Sequence, residues 1–485
     1  MAQQPQVFDP WQTASAYTDL LAVSAAPAAA WRERRNTRLA ALLHAAARGS
    51  RFWRERITAA GVAAPPLELL QRIAPVRKRE LMARFDDWVC DPALALPALR
   101  AFVRDGTQRG GAFLGSYLVW ESSGSSGEPA VFVQDARALA VADALEAARG
   151  PVSLEGGLPG LWPGAPRIAL VGAIEGHFAA VLAFERARRL NPWLAASSRS
   201  FSFLQPIERL VDALTEFAPT ALASYPSMAW VLAQEQAAGR LSLSVRAVWT
   251  GGETLTPAVR RTLGERFGAT VRDSYGASEC FLIACECRCG RLHLNADWAI
   301  LEPVDQNHEP VPDGEVGHTA LLTNLANHVQ PVIRYDLGDR VRIVPEPCAC
   351  GSRLPAIEVQ GRADDVLSFA SADGRAVHLA PLALTTVLEE QAGVFDFQLR
   401  QRGRQTLRLE LFGNGPGTDA PHDPSAARRA VAALRRLLRE RGLGAVRVEA
   451  HDHAAPSARG RSGKRQRVVR EAAVDVPPRR KLQSA

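Results

Sequence analysis

The segment Glu121–Pro129 carries residue types suited to binding phosphate, because it packs four serines and two glycines into nine residues. Glycine lets backbone N–H groups turn toward one point and serine hydroxyls add donors, which is typical of a phosphate-binding nest. The Walker A pattern requires Lys and Ser/Thr after its last glycine, whereas Glu128 and Pro129 follow here, which indicates a phosphate loop of another kind. A flexible Gly/Ser linker is an equally open interpretation.

Cysteines form a second group that could do chemistry. Six of the seven are clustered, and four lie in two Cys-x-Cys-Gly turns, Cys287/Cys289 and Cys348/Cys350. In a reducing compartment such clustering favours a metal over disulfides, and four thiolates from two turns predict a closed, structural Zn²⁺ site. Cys285 and His293 are spare candidates, and reduced free thiols or a redox role are the alternatives.

Length and composition indicate what kind of protein positions these residues. A length of 485 residues predicts two or three domains, and 47% apolar with 22% charged residues is typical of a globular protein with a large core. No apolar run approaches the roughly 18–20 residues of a membrane span, and no secretory signal is recognisable, so a cytoplasmic location without membrane contact is expected. The net charge of +7 lies mostly in Arg, and a solvated surface is favoured over nucleic-acid binding.

Periodicity predicts the architecture. Residues 1–95 carry apolar residues at helical spacing, and from about 115 to 280 strands alternate with helices, which favours α/β architecture with mainly parallel strands. Residues 290–360 have a β pattern, and a compact α+β unit follows. The expected fold class is therefore α/β, with a large N-terminal domain of mixed sheets and helices over 1–362. A small, mobile α+β domain is expected over 363–485.

Five further motifs follow the Ser/Gly segment in a defined order. They are Thr250-Gly-Gly-Glu253, Asp273-Ser-Tyr-Gly-Ala-Ser-Glu279, Ile333-Arg-Tyr-Asp-Leu-Gly-Asp339, Gly361-Arg-Ala-Asp-Asp365 and Gly463-Lys464. Each is weak alone, but together they resemble the adenylate-forming (acyl-CoA synthetase, ANL) superfamily, and most closely its phenylacetate–CoA ligase-like branch. The resemblance runs from about residue 75 to 470.

This resemblance implies two half-reactions. A carboxylic acid, expected to be aryl or otherwise hydrophobic, would attack the α-phosphate of ATP in the presence of Mg²⁺ to give an acyl-AMP. A thiol would then displace AMP, and CoA is the expected acceptor. The triphosphate would be held by the loop of Ser122, Ser123, Gly124, Ser125, Ser126 and Gly127. Other nucleotide contacts would come from Gly252, Glu253, Ser274, Tyr275 and Gly276.

The resemblance also assigns roles to single residues. Glu279 would help to coordinate Mg²⁺, which prefers oxygen ligands. Asp339 would accept hydrogen bonds from both ribose hydroxyls, while Asp336 occupies another position in the motif and is the less favoured ribose ligand. Arg362 would lie near ribose or phosphate. For Asp339 and Arg362 a structural ion pair is the alternative.

Domain movement and acid binding complete the implied site. Asp364 falls at the hinge of the small domain. Lys464 would enter the site for adenylation and neutralise charge on the transferring phosphoryl group, with a merely basic tail as the alternative. The acid pocket is the least defined part, and its candidates are His177, Tyr225 and Ala277.

Two departures from the family pattern keep other functions open. Glu128 stands where the family tends to carry Lys, so the phosphate loop would rely on backbone and hydroxyl donors. The run Leu367–Val377 lacks the usual Gly-rich turn after the hinge, so a carrier-protein thiol or an amine is an alternative acceptor. A zinc-containing nucleic-acid-binding protein is a remote alternative, because it leaves Glu279 and Asp339 without a role.

Overall fold

The first hundred residues form helices that each bury one face. The structure is a computed structural model that describes residues 7–61, 64–122, 129–151, 166–174, 176–362, 365–371, 376–379, 381–403, 405–412, 424–453 and 467–470. The predicted helical spacing is observed, since the longest of these helices buries Trp31, Leu39, Leu42, Leu43 and Ala46. The helices are α1 (Pro10–Ala25), α2 (Ala28–Gly49), α3 (Arg51–Ala60), α4 (Pro66–Arg72), α5 (Lys78–Ala83), α6 (Phe85–Trp88) and α7 (Leu96–Arg104).

A hairpin and a large sheet follow. Strands β1 (Leu118–Glu121) and β2 (Val131–Gln134) are antiparallel, so the Ser/Gly segment connects the two strands of one hairpin. The strands that come next are β3 (Ile168–Gly172), β4 (Ser198–Ser202), β5 (Ala221–Ser224), β6 (Ala247–Gly251), β7 (Thr270–Ala277), β8 (Cys280–Glu286) and β9 (Leu292–Leu294). Between them lie α8 (Ala136–Arg149), α9 (Ala179–Leu190), α10 (Pro192–Ser197), α11 (Ile207–Phe217), α12 (Pro226–Ala237) and α13 (Pro257–Phe267).

The remaining strands of this region complete two sheets. Strands β10 (Ala299–Val304), β11 (Thr319–Asn324) and β12 (Tyr335–Asp336) form a three-stranded sheet. With β13 (Asp339–Val344) and β14 (Ala356–Arg362), the large sheet has the order β13-β14-β9-β8-β7-β6-β5-β3-β4. The run from β7 to β4 is parallel, as the alternation predicted, and β8, β9 and β14 pair antiparallel.

The helical N-terminal part supports the segment that leads to β13. The indoles of Trp53 and Trp88 both donate to the carbonyl of Pro331, at 3.0 and 2.7 Å. Val76 pairs with the same segment, because its N–H donates to the Arg334 carbonyl and its carbonyl accepts from Asp336 N–H. Packing of the first hundred residues therefore fixes the backbone of the Ile333–Asp339 motif.

The C-terminal part is an α+β unit with its own core. Its elements are β15 (Leu367–Ala370), β16 (Ala376–Leu379), α14 (Pro381–Ala392), β17 (Phe397–Arg402), β18 (Thr406–Phe412), α15 (Pro424–Glu440), β19 (Arg447–His453) and β20 (Val468–Arg470). The sheet order is β19-β18-β17-β20. Leu384 and Leu388 of α14 and Leu434 of α15 belong to one buried cluster with Leu399 and Leu409 of the sheet.

Contacts divide the chain into two compact units. The larger takes in residues up to Leu255 and Thr262–Val359, and the smaller takes in Thr256–Arg261 and the described residues from Gln360 onward. The first turn of α13 thus belongs with the smaller unit, which the sequence did not indicate. The α/β fold class is confirmed. None of the described helices is both long and apolar enough to cross a membrane.

Candidate functional site

The carboxyl ends of four parallel strands meet at one edge of the large sheet. Strands β7, β6, β5 and β3 are neighbours in that order. Ligands of open α/β sheets bind at this edge, so it is the candidate site. The predicted residues that end or follow these strands are His177 after β3, Tyr225 after β5, Gly252 and Glu253 after β6, and Ser274, Tyr275 and Gly276 in the last part of β7.

Tyr275 joins the end of β7 to the start of β13. Its hydroxyl donates to Oδ2 of Asp339 at 2.7 Å, and both side chains are half-buried. Gly338, directly before Asp339, has a φ of 71°, which favours glycine. Two motifs that lie 64 residues apart in the chain are therefore in direct contact.

Close backbone approach explains the glycine at position 276. A Cβ atom there would lie 2.1 Å from the carbonyl oxygen of Phe281 on β8. The register shifts between Tyr275 and Ala277, and Ala277 then pairs with Cys280. β7 therefore runs on to Ala277, because pairing with β8 extends it through most of the motif.

Hydrogen bonds fix the two strands beside this bulge. The Thr250 hydroxyl donates to Oδ1 of Asp273 at 2.7 Å, and the Ser274 hydroxyl donates to the Thr250 carbonyl at 3.1 Å. The predicted site residue Ser274 thus holds the ends of β6 and β7 together.

Glu253 caps a helix. Its Oε2 accepts from the backbone N–H of Ser227 at 3.1 Å, at the first turn of α12. Carboxylates are favourable at helix N-termini, where backbone N–H groups lack partners. Burial, and then the charge of Glu253, raise the pKa of Tyr225, so this phenol stays protonated at neutral pH and can donate a hydrogen bond. Gly252, with a φ of 77°, makes the turn between β6 and Glu253.

The base of the Ser/Gly hairpin is held by the neighbouring motifs. Ser122 and Ala130 close it with two bonds: Ser122 N–H donates to the Ala130 carbonyl at 2.8 Å, and Ala130 N–H donates to the Ser122 hydroxyl oxygen at 2.9 Å. Trp120 Nε1 donates to the Ser278 carbonyl at 3.0 Å, which ties β1 to the turn between β7 and β8. Ser123, Gly124, Ser125, Ser126 and Gly127 lie outside the described residues.

Two buried amides link the hairpin to the Ile333–Asp339 region. Gln330 Oε1 accepts from Val133 N–H at 2.8 Å and its Nε2 donates to the Val131 carbonyl at 3.0 Å. Asn327 Nδ2 donates to the Val133 carbonyl at 2.9 Å. Sequence reasoning missed both residues, and the only signal was a pair of amides close before a motif.

Glu279 lies in the turn between β7 and β8. Its side chain is half-buried, and its backbone carbonyl accepts from Asn324 Nδ2 at 2.9 Å. The turn is therefore fixed from two sides, by Asn324 and by Trp120. A carboxylate on a fixed turn beside the hairpin base is suited to holding a hard divalent cation.

His177 is buried, with 5% of its surface exposed. Its carbonyl accepts from Glu121 N–H at 2.8 Å, next to the hairpin base. Burial, and then the charge of Arg109, lower the pKa of the imidazole. Its Nε2 has no hydrogen-bond partner among the described residues, so a neutral polar atom is left for a ligand or water.

Three predicted site residues are not among the described residues of the larger unit. Arg362 ends β14 and is grouped with the smaller unit. Asp364 and Lys464 lie outside the described residues. The roles of these three remain predictions.

The thiol cluster differs from the predicted one. Ligand atoms of Cys287, His293, Cys348 and Cys350 all lie within 4.8 Å of one another. Cys287 Sγ is 3.7 Å from Cys348 Sγ, and Cys350 Sγ is 3.3 Å from His293 Nε2. Three thiols and one imidazole replace the expected set of four thiols.

Turn geometry explains why Cys289 is absent from the group. Its backbone N–H donates to Cys287 Sγ at 3.4 Å, and its own side chain is exposed. His293 enters because β9 pairs with both neighbours, placing it opposite Cys285 of β8 and Ala356 of β14. His293, a spare candidate in the sequence, therefore takes the place of the predicted Cys289.

The surroundings of Cys348 favour its thiolate form. Burial opposes ionisation of Cys348, but the Cys350 backbone N–H and the neighbouring His293, Cys350 and Cys287 side chains outweigh it and lower the pKa of this thiol to about 6. His293 Nδ1 lies 2.8 Å from the Leu354 carbonyl, so Nδ1 carries the proton and Nε2 is left as a ligand atom. Ser352 N–H donates to Cys350 Sγ at 3.4 Å.

Known proteins share both the sequence and the fold of this region. Residues 194–321, which contain two of the motifs, match the AMP-binding enzyme family. The chain is 32% identical over 191 residues to the phenylacetate–coenzyme A ligase of Thermus thermophilus, covering 37% of this chain and 41% of that relative. It is 32% identical over 223 residues to the phenylacetate–coenzyme A ligase of Escherichia coli (strain K12), covering 42% and 48%. The matches therefore span a little under half of each relative.

The fold extends the similarity beyond the aligned part. The crystal structure of 2-hydroxyisobutyryl-CoA ligase in the postadenylation state, in complex with 2-HIB-AMP, superposes with a TM-score of 0.67 at 21% identity. The match covers 91% of this chain and 90% of that chain. These findings confirm the resemblance that the motifs indicated.

Proposed function

We propose that this chain, an adenylate-forming superfamily protein of the phenylacetate–CoA ligase-like branch, uses ATP to activate a carboxylic acid as an acyl-adenylate. The acyl group then passes to the thiol of CoA. The observation that carries the proposal is the 2.7 Å bond between Tyr275 and Asp339, which joins two of the motifs that the resemblance assigns to ATP binding. The phenylacetate–coenzyme A ligases among its relatives support CoA as the acceptor.

Each part of the site has a task in this reaction. Asp339 would accept the ribose hydroxyls, and the backbone of Gly252 and Gly276 would border the adenine. The hairpin residues Ser122–Gly127 would hold the phosphates. Glu279 would hold Mg²⁺, which when bound neutralises phosphate charge. Arg362 would add a guanidinium near ribose or phosphate.

The acid would lie among the apolar and neutral groups of the same edge. Tyr225 stays protonated, because burial raises its pKa, so its hydroxyl can donate to a carboxylate. His177 stays neutral because burial lowers its pKa, and its Nε2 has no partner among the described residues. Ala277 is half-buried at the bulge. The phenylacetate–coenzyme A ligases among its relatives support an aryl or hydrophobic acid, and the proposed use of ATP and CoA agrees with the predicted cytoplasmic location.

Pyrophosphate exchange with a panel of aryl and alkyl acids tests the adenylation step. Exchange dependent on one class of acid is the expected result, and no exchange with any acid refutes adenylation. Adding CoA should give a thioester. If exchange occurs but no thioester forms, a carrier-protein thiol or an amine is the acceptor.

Lys464→Ala separates the two half-reactions. A point charge on the transferring phosphoryl group is worth several kcal/mol, so exchange should fall by about 10²–10³-fold while thiolysis of supplied acyl-AMP is largely kept. Lys481→Ala, in the same basic C-terminal segment, is the matched control and should leave both rates unchanged. Equal loss of both half-reactions in Lys464→Ala would contradict the role in adenylation.

We also propose that the thiol cluster holds a structural Zn²⁺ through Cys287, His293, Cys348 and Cys350. Three sulfurs and one imidazole nitrogen are a closed zinc donor set, and the N–H groups of Cys289 and Ser352 would stabilise the thiolates. The metal would join the turn after β8 to the segment before β14. It has no task in the reaction.

Elemental analysis of protein purified without chelator tests the zinc proposal. About one zinc per chain is expected, and its absence refutes the site. Cys348→Ser should lose the metal, whereas Cys289→Ser should retain it. Equal loss in both variants would restore the four-thiol set that the sequence predicted.

A further inference from the structure

Asp336 lies within the Ile333–Asp339 motif and has a role that the proposed function does not use. Its side chain is 10% exposed. Oδ1 accepts from the Thr319 hydroxyl at 2.5 Å and from the backbone N–H of Gly338 at 3.0 Å. Oδ2 lies 3.1 Å from Arg77 Nε and 3.9 Å from His308 Nε2. Its oxygens are therefore occupied by neighbours in the protein.

The Gly338 N–H is shared between two acceptors. It also lies 3.1 Å from the Thr319 hydroxyl oxygen. An Asp that accepts from the N–H two residues on closes an Asx turn, which fixes the intervening backbone. Gly338 has a positive φ of 71°, which favours glycine, and Asp339 follows it directly.

The turn sets where Asp339 begins its strand. β12 ends at Asp336 and β13 starts at Asp339, so the whole change of direction takes place at Leu337 and Gly338. Leu337 N–H is held by the Ala320 carbonyl at 3.1 Å. The N–H groups of Leu337 and Gly338 are bound to Ala320 and Thr319. The turn therefore holds the Asp339 carboxylate in one position beside Tyr275.

We propose that Asp336 is a positioning residue for nucleotide binding: its Oδ1, with the Thr319 hydroxyl, fixes the turn that presents Asp339 to the ribose. The proposal rests on the proposed function, because it takes Asp339 as the ribose ligand. What matters is the acceptor atom Oδ1 and not the negative charge.

Arg77 provides the contrast. Its side chain is 74% exposed, and an ion pair so accessible to water contributes little. Asp336→Asn keeps an oxygen in place of Oδ1 and loses the charge that faces Arg77. Asp336→Ala loses both. The two variants therefore separate the turn from the ion pair.

Calorimetric titration with MgATP measures the effect without depending on any acid. Asp336→Ala should weaken MgATP binding by about tenfold, because the two hydrogen bonds accepted by Oδ1 are both lost. Asp336→Asn and Arg77→Gln should stay within about twofold of the wild type. Thr319→Val should resemble Asp336→Ala, while Thr319→Ser, which keeps the hydroxyl, should resemble the wild type.

A second measurement distinguishes a specific loss of nucleotide binding from a general loss of folding. Where an acid supports exchange, KM for the acid should be unchanged in every one of these variants. Equal weakening by Asp336→Asn and Asp336→Ala would overturn the proposal, as would an equal rise in KM for ATP and acid. If the wild type binds MgATP but exchanges with no acid, the proposed function fails and the role of Asp336 stands. If Asp339→Ala binds MgATP as tightly as the wild type, the positioning role fails with the ribose contact.

Discussion

Replacing Tyr275 by Phe removes one hydroxyl and one hydrogen bond from the proposed nucleotide site. The hydroxyl donates to Oδ2 of Asp339 at 2.7 Å. A hydrogen bond to a charged group contributes about 1.5–3 kcal/mol, and the lower value applies here because both side chains are half-buried and water can replace part of the bond. A loss of about 1.5 kcal/mol corresponds to about tenfold weaker binding of MgATP.

The expected kinetic pattern is a higher KM for ATP at nearly constant kcat. The bond orders Asp339 before and during the reaction alike, so its loss removes binding common to ground state and transition state. Pyrophosphate exchange at varied ATP gives this KM, and exchange at varied acid should show no change. Calorimetric titration with MgATP gives the same comparison without acid.

A double-mutant cycle with Asp339→Ala makes the test specific. If Tyr275 acts through Asp339, Tyr275→Phe should have little further effect in the Asp339→Ala background, a coupling of about 1 kcal/mol or more. Tyr117→Phe is the matched control, because Tyr117 also donates to a carboxylate, that of Asp91, and neither residue belongs to the predicted site. Additive effects of the two site variants, or an equal effect of Tyr117→Phe, would refute the reasoning.

Two stability predictions concern buried titratable groups. Glu389→Leu should destabilise the smaller unit by about 3 kcal/mol in urea unfolding, because the fully buried carboxylate accepts from Thr256 and Arg467 and its loss leaves the half-buried Arg467 guanidinium without a carboxylate partner. Glu390→Gln, which loses a pair with a 57% exposed Arg261, should cost under about 0.5 kcal/mol, and equal effects would contradict this contrast. Burial, and then the charge of Arg137, lower the pKa of His328 to about 4, below its usual value of about 6.5. The unfolded chain therefore takes up the proton first, so the free energy of unfolding should fall by roughly 2 kcal/mol as the pH drops from about 7 to 4. His328→Gln should lack this part of the fall, and identical pH profiles for the two proteins would count against it.

Local pattern predicted much of the framework. Apolar residues at helical spacing predicted the helices within residues 1–95, and strand–helix alternation indicated the parallel run of the large sheet. Both follow from periodicity, which depends only on near neighbours in the chain. The order of six motifs indicated the superfamily by resemblance to a known family, because the residue types of each motif are visible in the sequence.

The contacts of individual side chains could not be predicted from the sequence to the same extent. The sequence marked Cys289 as a ligand, but strand register places His293 in the cluster. Glu253 was expected at the nucleotide, and its carboxylate also caps α12. Each difference depends on which strands lie side by side and in what register, and this is decided by packing between distant segments.

The sequence by itself therefore determined the fold class, the chemistry that the motifs could carry and the order in which they occur. Only the tertiary structure decided that Tyr275 contacts Asp339 and that Asp336 and Thr319 hold the turn before Asp339. It also decided that the imidazole of His293 lies in one cluster with three thiols. The physical reason is that residue type sets what an atom can donate or accept, whereas the distance to its partner is set by long-range packing of sheets and helices.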